Sequence, residues 1–281
     1  MERLSALAEI VNSHNPPNFF CSAEFLAHKG CSVFRGKNGG IWVAEKEFPS
    51  CAIIPPVGNF PEEVKEIWSD TDGWEPPKEE SLADWEKEFL DWEFWFDPKR
   101  FKDMSGGQWE KFRKNSRKWT RRILFGYEYR PLLRTHRGEI ADLLERWLLG
   151  EKAQEEIYDL EVMFDYLMNP INENIRRMGL FKIATFDRTL KVLVGINAWD
   201  ENLWAINYRY CITDPEERSN FIDEFCRLNF YLGVADSGKL VNDGGSLGKE
   251  GLERYKESLN PVKKRPVYRW KRRTREGGNA K

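Results

Sequence analysis

The sequence predicts an α/β fold of the α+β kind: two tandem domains, each with a mixed, mostly antiparallel sheet flanked by helices. Three observations lead there. Runs rich in β-branched and aromatic residues follow closely at 180–186, 192–199 and 203–212, joined by the tight turns Asp187-Arg188-Thr189 and Asp200-Glu201-Asn202. That is the pattern of an antiparallel meander. Apolar residues at helical spacing lie on either side, as at Ile140, Leu143, Leu144 and Trp147. Both halves of the chain also share one order, helix, antiparallel strands, helix, strand, which points to a diverged duplication without a residue-level repeat. The expected domains are 1–124 and 125–275, with a disordered tail at 276–281.

A chain of 281 residues suits this division. At 41% hydrophobic it can bury a real core, and 32% of its residues are charged. The net charge of -2 hides segregation, because acidic residues dominate 61–97 and basic ones dominate 111–122 and 263–275. Twelve Trp serve a core or stack on bases or sugars. Five Cys form no CxxC pair and no signal peptide precedes them, so reduced thiols and a cytoplasmic location are expected. Three His lack metal-ligand spacing, so no metal site is expected. No apolar run approaches the length of a membrane span.

In order, residues 1–12 read as a short amphipathic helix ended by Asn15-Pro16-Pro17. Strands at 31–35 and 41–45 flank Lys37-Asn38-Gly39-Gly40, a hairpin signal. A third strand is expected over 51–57 and a helix over 61–68 with Pro61 in its first turn. Residues 69–80 are rich in turn formers and read as a loop. Leu82, Trp85, Phe89 and Trp92 fit helical spacing, and 93–96 reads as a strand. After a strand at 127–132, helices are expected over 136–149 and 157–168. The meander comes next, then a long helix over 215–232, a short strand at Leu240-Val241, a helix from about Gly248, and a last strand at 266–270.

Two stretches carry chemistry. From Ser105 to Arg122 runs a helix with Trp109, Phe112 and Trp119 near one face and seven cations against one acid, Glu110. It is either a solvated face or a phosphate-tracking surface, and Arg113, Lys114 and Arg117 are its candidate donor- or phosphate-binding residues. Near the end, Leu240-Val241 enters the polar turn Asn242-Asp243-Gly244-Gly245-Ser246 before a helix carrying Leu252, Tyr255 and Leu259 on one stripe and Lys256 on another. Strand, glycine turn and helix together can point backbone N–H groups at an anion or a carbonyl, which makes Asn242, Gly244 and Gly245 candidate binding positions.

The element order of the second half resembles the GNAT-like acyltransferase superfamily. Asn242, Gly248, Gly251-Leu252, Lys256, Ser258 and Pro261 are similar in spacing to a signature of the phosphatidylglycerol lysyltransferase C-terminal domain family, built from tandem GNAT-like domains. Ser105-Gly106, Arg113, Trp119 and Trp147 resemble the same family. The sequence departs at two places: Ser246 stands where the family carries Asp, and Lys114 stands where Asn is expected, with Asn115 one place on. The resemblance implies acyl transfer, with aminoacyl-tRNA or acyl-CoA as co-substrate and no certain bound cofactor. It places the donor in the splay between the fourth and fifth strands, here 203–212 and 239–241. The usual acyl-CoA pyrophosphate turn is replaced by Thr213-Asp214-Pro215-Glu216-Glu217-Arg218, with no glycine and three acids.

On this reading the catalytic candidates are Asp243 as base or amine-orienting group, Lys256 as a cation near the donor ester or phosphate, Tyr208, and Ser246. The first three have plainer alternatives: a turn-forming Asp, an exposed helix Lys, a core Tyr. Asn207, Tyr210 and Trp199 are the expected substrate pocket. Three functions stay open: an acyl or aminoacyl transferase using an activated donor and an amine or hydroxyl acceptor; a transferase modifying nucleic-acid bases, as in phage DNA hypermodification; and a GNAT-like binding module without activity. The basic helix and the basic residues at 263–275 make a nucleic acid, tRNA donor or DNA acceptor, the expected partner.

Overall fold

The hairpin forms where its turn chemistry demands. Strand β1 (Ser32–Arg35) pairs antiparallel with β2 (Ile41–Ala44), and Gly36 N–H closes the turn onto Gly40 O at 2.8 Å. Gly39 has φ +85, a conformation open to glycine at no steric cost. The computed structural model describes residues 6–7, 9–10, 26–27, 29–69, 84–122, 127–131, 137–150, 182–186, 189–197, 205–213, 222–246 and 248–273. The helix expected over 157–168 and Trp199 lie outside them. The chain forms two units, residues 1–93 with 265–281, and residues 94–264.

In the first unit, β3 (Cys51–Ala52), β4 (Glu66–Ser69), β11 (Lys263–Arg272) and β5 (Trp85–Phe96) lie side by side in that order. Three expectations are corrected here. The third strand stops at Ala52, and Val57 bridges Ile41 instead; Pro55 and Pro56, lacking N–H groups, cannot extend a ladder. The expected helix at 61–68 is a single turn, Val64 N–H to Pro61 O, followed by β4. Ile67 is fully buried while Glu66 and Trp68 reach outward, so the operative period there is 2 and not 3.6. Trp85, Phe89 and Trp92, expected on a helix with Leu82, lie instead in the first part of β5, a 12-residue strand, and Leu82 is outside the described residues. Aromatic residues suit a half-buried pleated surface, and pairing with β11 overrides the helical spacing. Trp42, Ala44, Ala52, Val64, Ile67, Trp85 and Trp270 form this unit's core. Buried Glu93 pairs with Arg265, whose Nε lies 3.0 Å from Oε2.

In the second unit the strands run in the order β5 (from Phe94), β10 (Leu240–Asn242), β9 (Ala205–Thr213), β8 (Thr189–Asn197), β7 (Lys182–Phe186), β6 (Tyr127–Pro131). Strands β7 to β9 form the expected antiparallel meander, and β6 adds to its edge by pairing antiparallel with β7. Helix α1 (Arg100–Asp103) and a 3-10 turn (Gly107–Trp109) precede the basic helix α2 (Glu110–Arg122). Helix α3 (Arg137–Gly150) packs on β8 and β9, and α4 (Ile222–Val234) packs against α2. Helix α5 (Glu250–Ser258) follows the glycine turn. Phe101 stacks on Tyr231 with ring centroids 4.0 Å apart and meets Trp109 and Phe112 edge-on. These rings fix α4 against α1 and α2. No helix among the described residues is long and apolar enough to cross a membrane.

Candidate functional site: the strand gap and the glycine turn

Strands β9 and β10 run parallel but pair only at Ala205 with Leu240 and Ile206 with Val241. β10 ends at Asn242, whereas β9 continues to Thr213. From Asn207 onward, the edge of β9 that faces β10 therefore has no β10 partner. The parting coincides with a bulge. Ile196 pairs with Arg209 and the next residue, Asn197, pairs with Asn207, so Tyr208 is extra on β9. A bulge bends its strand and increases its twist, and this one lies on the β8 side of β9 at the residues where β9 leaves β10. Asn207, Tyr208 and Tyr210 are thus placed by their backbone along the opened edge.

The turn on the other side of this gap is fastened from three directions. Asp243 N–H donates to Phe94 O at 2.8 Å, and Phe94 N–H donates to Gly244 O at 3.1 Å. Two turn residues thus oppose one residue of β5, with Gly244 at φ +67. Asn242 Oδ1 accepts the Gly244 N–H at 2.8 Å. From α5, the Lys256 ammonium donates to the carbonyls of Asp243 (2.5 Å), Gly244 (3.2 Å) and Gly245 (2.6 Å). Lys256 is only 4% exposed, so the expectation of a separate polar stripe on α5 is corrected: it faces inward with Leu259, and Leu252 and Tyr255 are half-buried.

The Asp243 carboxylate, 2% exposed, is the hub beneath the turn. Its Oδ2 accepts hydrogen bonds from Arg227 and from the Tyr231 hydroxyl, and Oδ1 lies 3.6 Å from Lys256 Nζ. Arg227 and Tyr231 stand four residues apart on α4 and so share one face. The Arg227 guanidinium also lies over the Tyr255 ring, 5.3 Å from its centroid. Both residues escaped the sequence reading. The available signal was a lone Arg within the apolar run Phe225-Cys226-Arg227-Leu228, since an arginine buried there needs a carboxylate.

Ser246 is buried and its carbonyl accepts the Lys249 N–H at 3.0 Å at the entry to α5. Arg113 donates to the carbonyls of Met104 and Gly106, tying down the loop that leads into α2. Trp109 in the 3-10 turn and Phe112, Asn115 and Ser116 of α2 are buried, and Asn115 donates to Glu224 of α4 at 3.2 Å. Lys114 and Arg117 are exposed with Lys111, and these three have no ion-pair partner among the described residues. No group of three potential metal ligands occurs among the described residues.

No protein-family model matches the chain, and neither does any curated protein. Solved structures do match over nearly the whole chain. The C-terminal domain of a putative lysylphosphatidylglycerol synthetase from Agrobacterium fabrum is similar at TM-score 0.62 and 13% identity, covering 97% of this chain and 92% of that one. L-PGS from Bacillus licheniformis is similar at TM-score 0.61 and 14% identity, covering 98% and 92%. The chain has a GNAT-like fold. A conserved protein of unknown function from Bacteroides thetaiotaomicron shares it at TM-score 0.65 and 12% identity, covering 96% of each chain. Identities this low speak to fold alone.

Proposed function

We propose that this chain is an acyl or aminoacyl transferase, moving its group from an activated donor, aminoacyl-tRNA or an acyl-CoA-like thioester, to an amine or hydroxyl. The observation that carries the reading is the gap between β9 and β10. It offers an extended backbone edge, with a bulge at Tyr208, along which a donor arm can lie in hydrogen-bonding register. In such a reaction the acceptor attacks the ester or thioester carbonyl, the oxygen gains charge, and the tRNA hydroxyl or the thiol leaves with a proton. The protein's contribution is positioning and stabilisation of that oxygen. The names of the Agrobacterium and Bacillus structures support an aminoacyl donor.

The exposed cations Lys111, Lys114 and Arg117 on α2 favour a polyanionic partner, which suits a tRNA donor. The same cations support a second reading, in which the acceptor is a nucleic-acid base. Incubating the protein with a panel of charged tRNAs and acyl-CoAs, each with tRNA, DNA and free amines as acceptors, separates the two readings. Acyl transfer from one donor class supports the proposal, and the labelled acceptor selects between them. A folded protein that consumes no donor in the panel overturns both.

A further inference from the structure

The clamp on the glycine turn has a directional consequence. In a trans peptide the C=O of one residue and the N–H of the next point opposite ways. Three successive carbonyls, those of Asp243, Gly244 and Gly245, are drawn to Lys256 Nζ. The N–H groups of Gly244, Gly245 and Ser246 are therefore turned away from that ammonium. The Gly244 N–H is already taken by Asn242 Oδ1. The Gly244 carbonyl also accepts from Phe94 N–H, so it points to the β5 side of β10. The Gly245 N–H, opposite in the same peptide plane, therefore points away from β5, and β9 is the strand on the other side of β10. This N–H has no hydrogen-bond partner among the described residues. A second orphan donor lies three residues earlier in the chain. Asn242 Nδ2 is fully buried with no partner, on the same carboxamide whose Oδ1 holds the Gly244 N–H. Gly245 is half-buried and Asn242 fully buried, and a buried donor left unmade is costly, so the Asn242 amide calls for a partner such as a bound oxygen.

We propose that the Asp243–Ser246 turn is an oxygen-anion site, with the Gly245 N–H and Asn242 Nδ2 as its donors and Lys256 as the positioning residue that aims them. The group it fits is a carboxylate or the charged oxygen of an acyl centre. Lys256 does not touch this ligand; its ammonium is occupied by the three carbonyls. That the oxygen belongs to a transferred acyl group rests on the transferase reading, whereas the anion site itself does not.

The test uses the full-length protein labelled with 15N-glycine, titrated with sodium acetate against sodium chloride at matched ionic strength. The expected result is a saturable displacement of the Gly245 amide signal by acetate, with the Gly238 signal unmoved and chloride without effect. Lys256→Met is expected to weaken acetate binding about tenfold or more while Gly238 keeps its wild-type position. Where Lys256→Met does not fold, Asn242→Ser, which loses the orphan donor, is expected to weaken binding in the same sense. A Gly245 signal that acetate leaves unmoved, or moves no differently from chloride, overturns the proposal. Unaltered acetate affinity in folded Lys256→Met overturns the role of Lys256. No acyl donor is present, so failure of the transferase reading leaves this result intact, and failure here leaves donor turnover to be judged separately.

Discussion

Asp243 ties together α4, α5 and the turn, so its loss is first a structural event. Asp243→Ala leaves Arg227 and Lys256 buried without their shared carboxylate, and breaking a buried pair costs about 3–5 kcal/mol. Urea unfolding should show that loss, against a change within about 0.5 kcal/mol for exposed Lys114→Ala. Turnover of an Asp243 variant means something only after this stability has been measured. Cys51 offers a separate probe. Burial, with Glu66 adding to it, pushes its thiol up from 9.0 to about 11. The fold favours the neutral thiol, so protection from alkylation holds below that value and fades as pH rises through it. At pH 9 the folded thiol should alkylate on the order of tens of times more slowly than the same thiol in denaturant. Lys256 shows what residue chemistry alone withholds. A lysine in a helix rich in charge reads as solvated, and only the three converging carbonyls reveal it as a buried clamp.

Elements announced by turn chemistry were legible in the sequence, and those decided by tertiary pairing were not. The Asn38-Gly39 hairpin and the meander between Lys182 and Thr213 have their turns written into them. β4 and β5 do not. Trp85, Phe89 and Trp92 satisfy helical spacing by coincidence, while β11 supplies partners such as Arg269 for Glu88 that lie 181 residues away. The hairpin turn itself can be tested. A Cβ on Gly40 would sit 1.9 Å from Asn59 O, whereas one on Gly39 would meet nothing. Gly40→Ala should therefore destabilise by more than Gly39→Ala, whose cost is the positive φ alone, about 1–2 kcal/mol; thermal unfolding compares them. Helix α2 carries the expectation for binding. Reversing Lys111, Lys114 and Arg117 to Glu should weaken tRNA or DNA binding and flatten its dependence on salt. These side chains are exposed, so the unfolding midpoint should barely move. Unchanged binding would remove α2 from the nucleic-acid surface.

At the scale of the whole molecule, the GNAT-like element order was readable because strand, helix and meander follow one another with clear punctuation. The parting of β9 from β10 was not readable to the residue. It coincides with the skipped residue of β9, and nothing in the sequence marks Tyr208 as extra. The Ser246 departure also takes a clearer form in three dimensions. Ser246 is buried at the entry to α5, while Asp243, three residues earlier, holds the charged contacts beneath the turn. The central claim is that the opened edge of β9 and the glycine turn receive an activated acyl donor. Its most direct test is a single-turnover reaction with each radiolabelled aminoacyl-tRNA and acyl-CoA, comparing wild type with a Tyr208 deletion that restores the β8–β9 register. One donor class should be consumed at least ~10²-fold faster than in buffer, and the deletion, folded by its unfolding curve, should lose that rate. Consumption of no donor by the folded wild type, or an undiminished rate in the deletion, would contradict it.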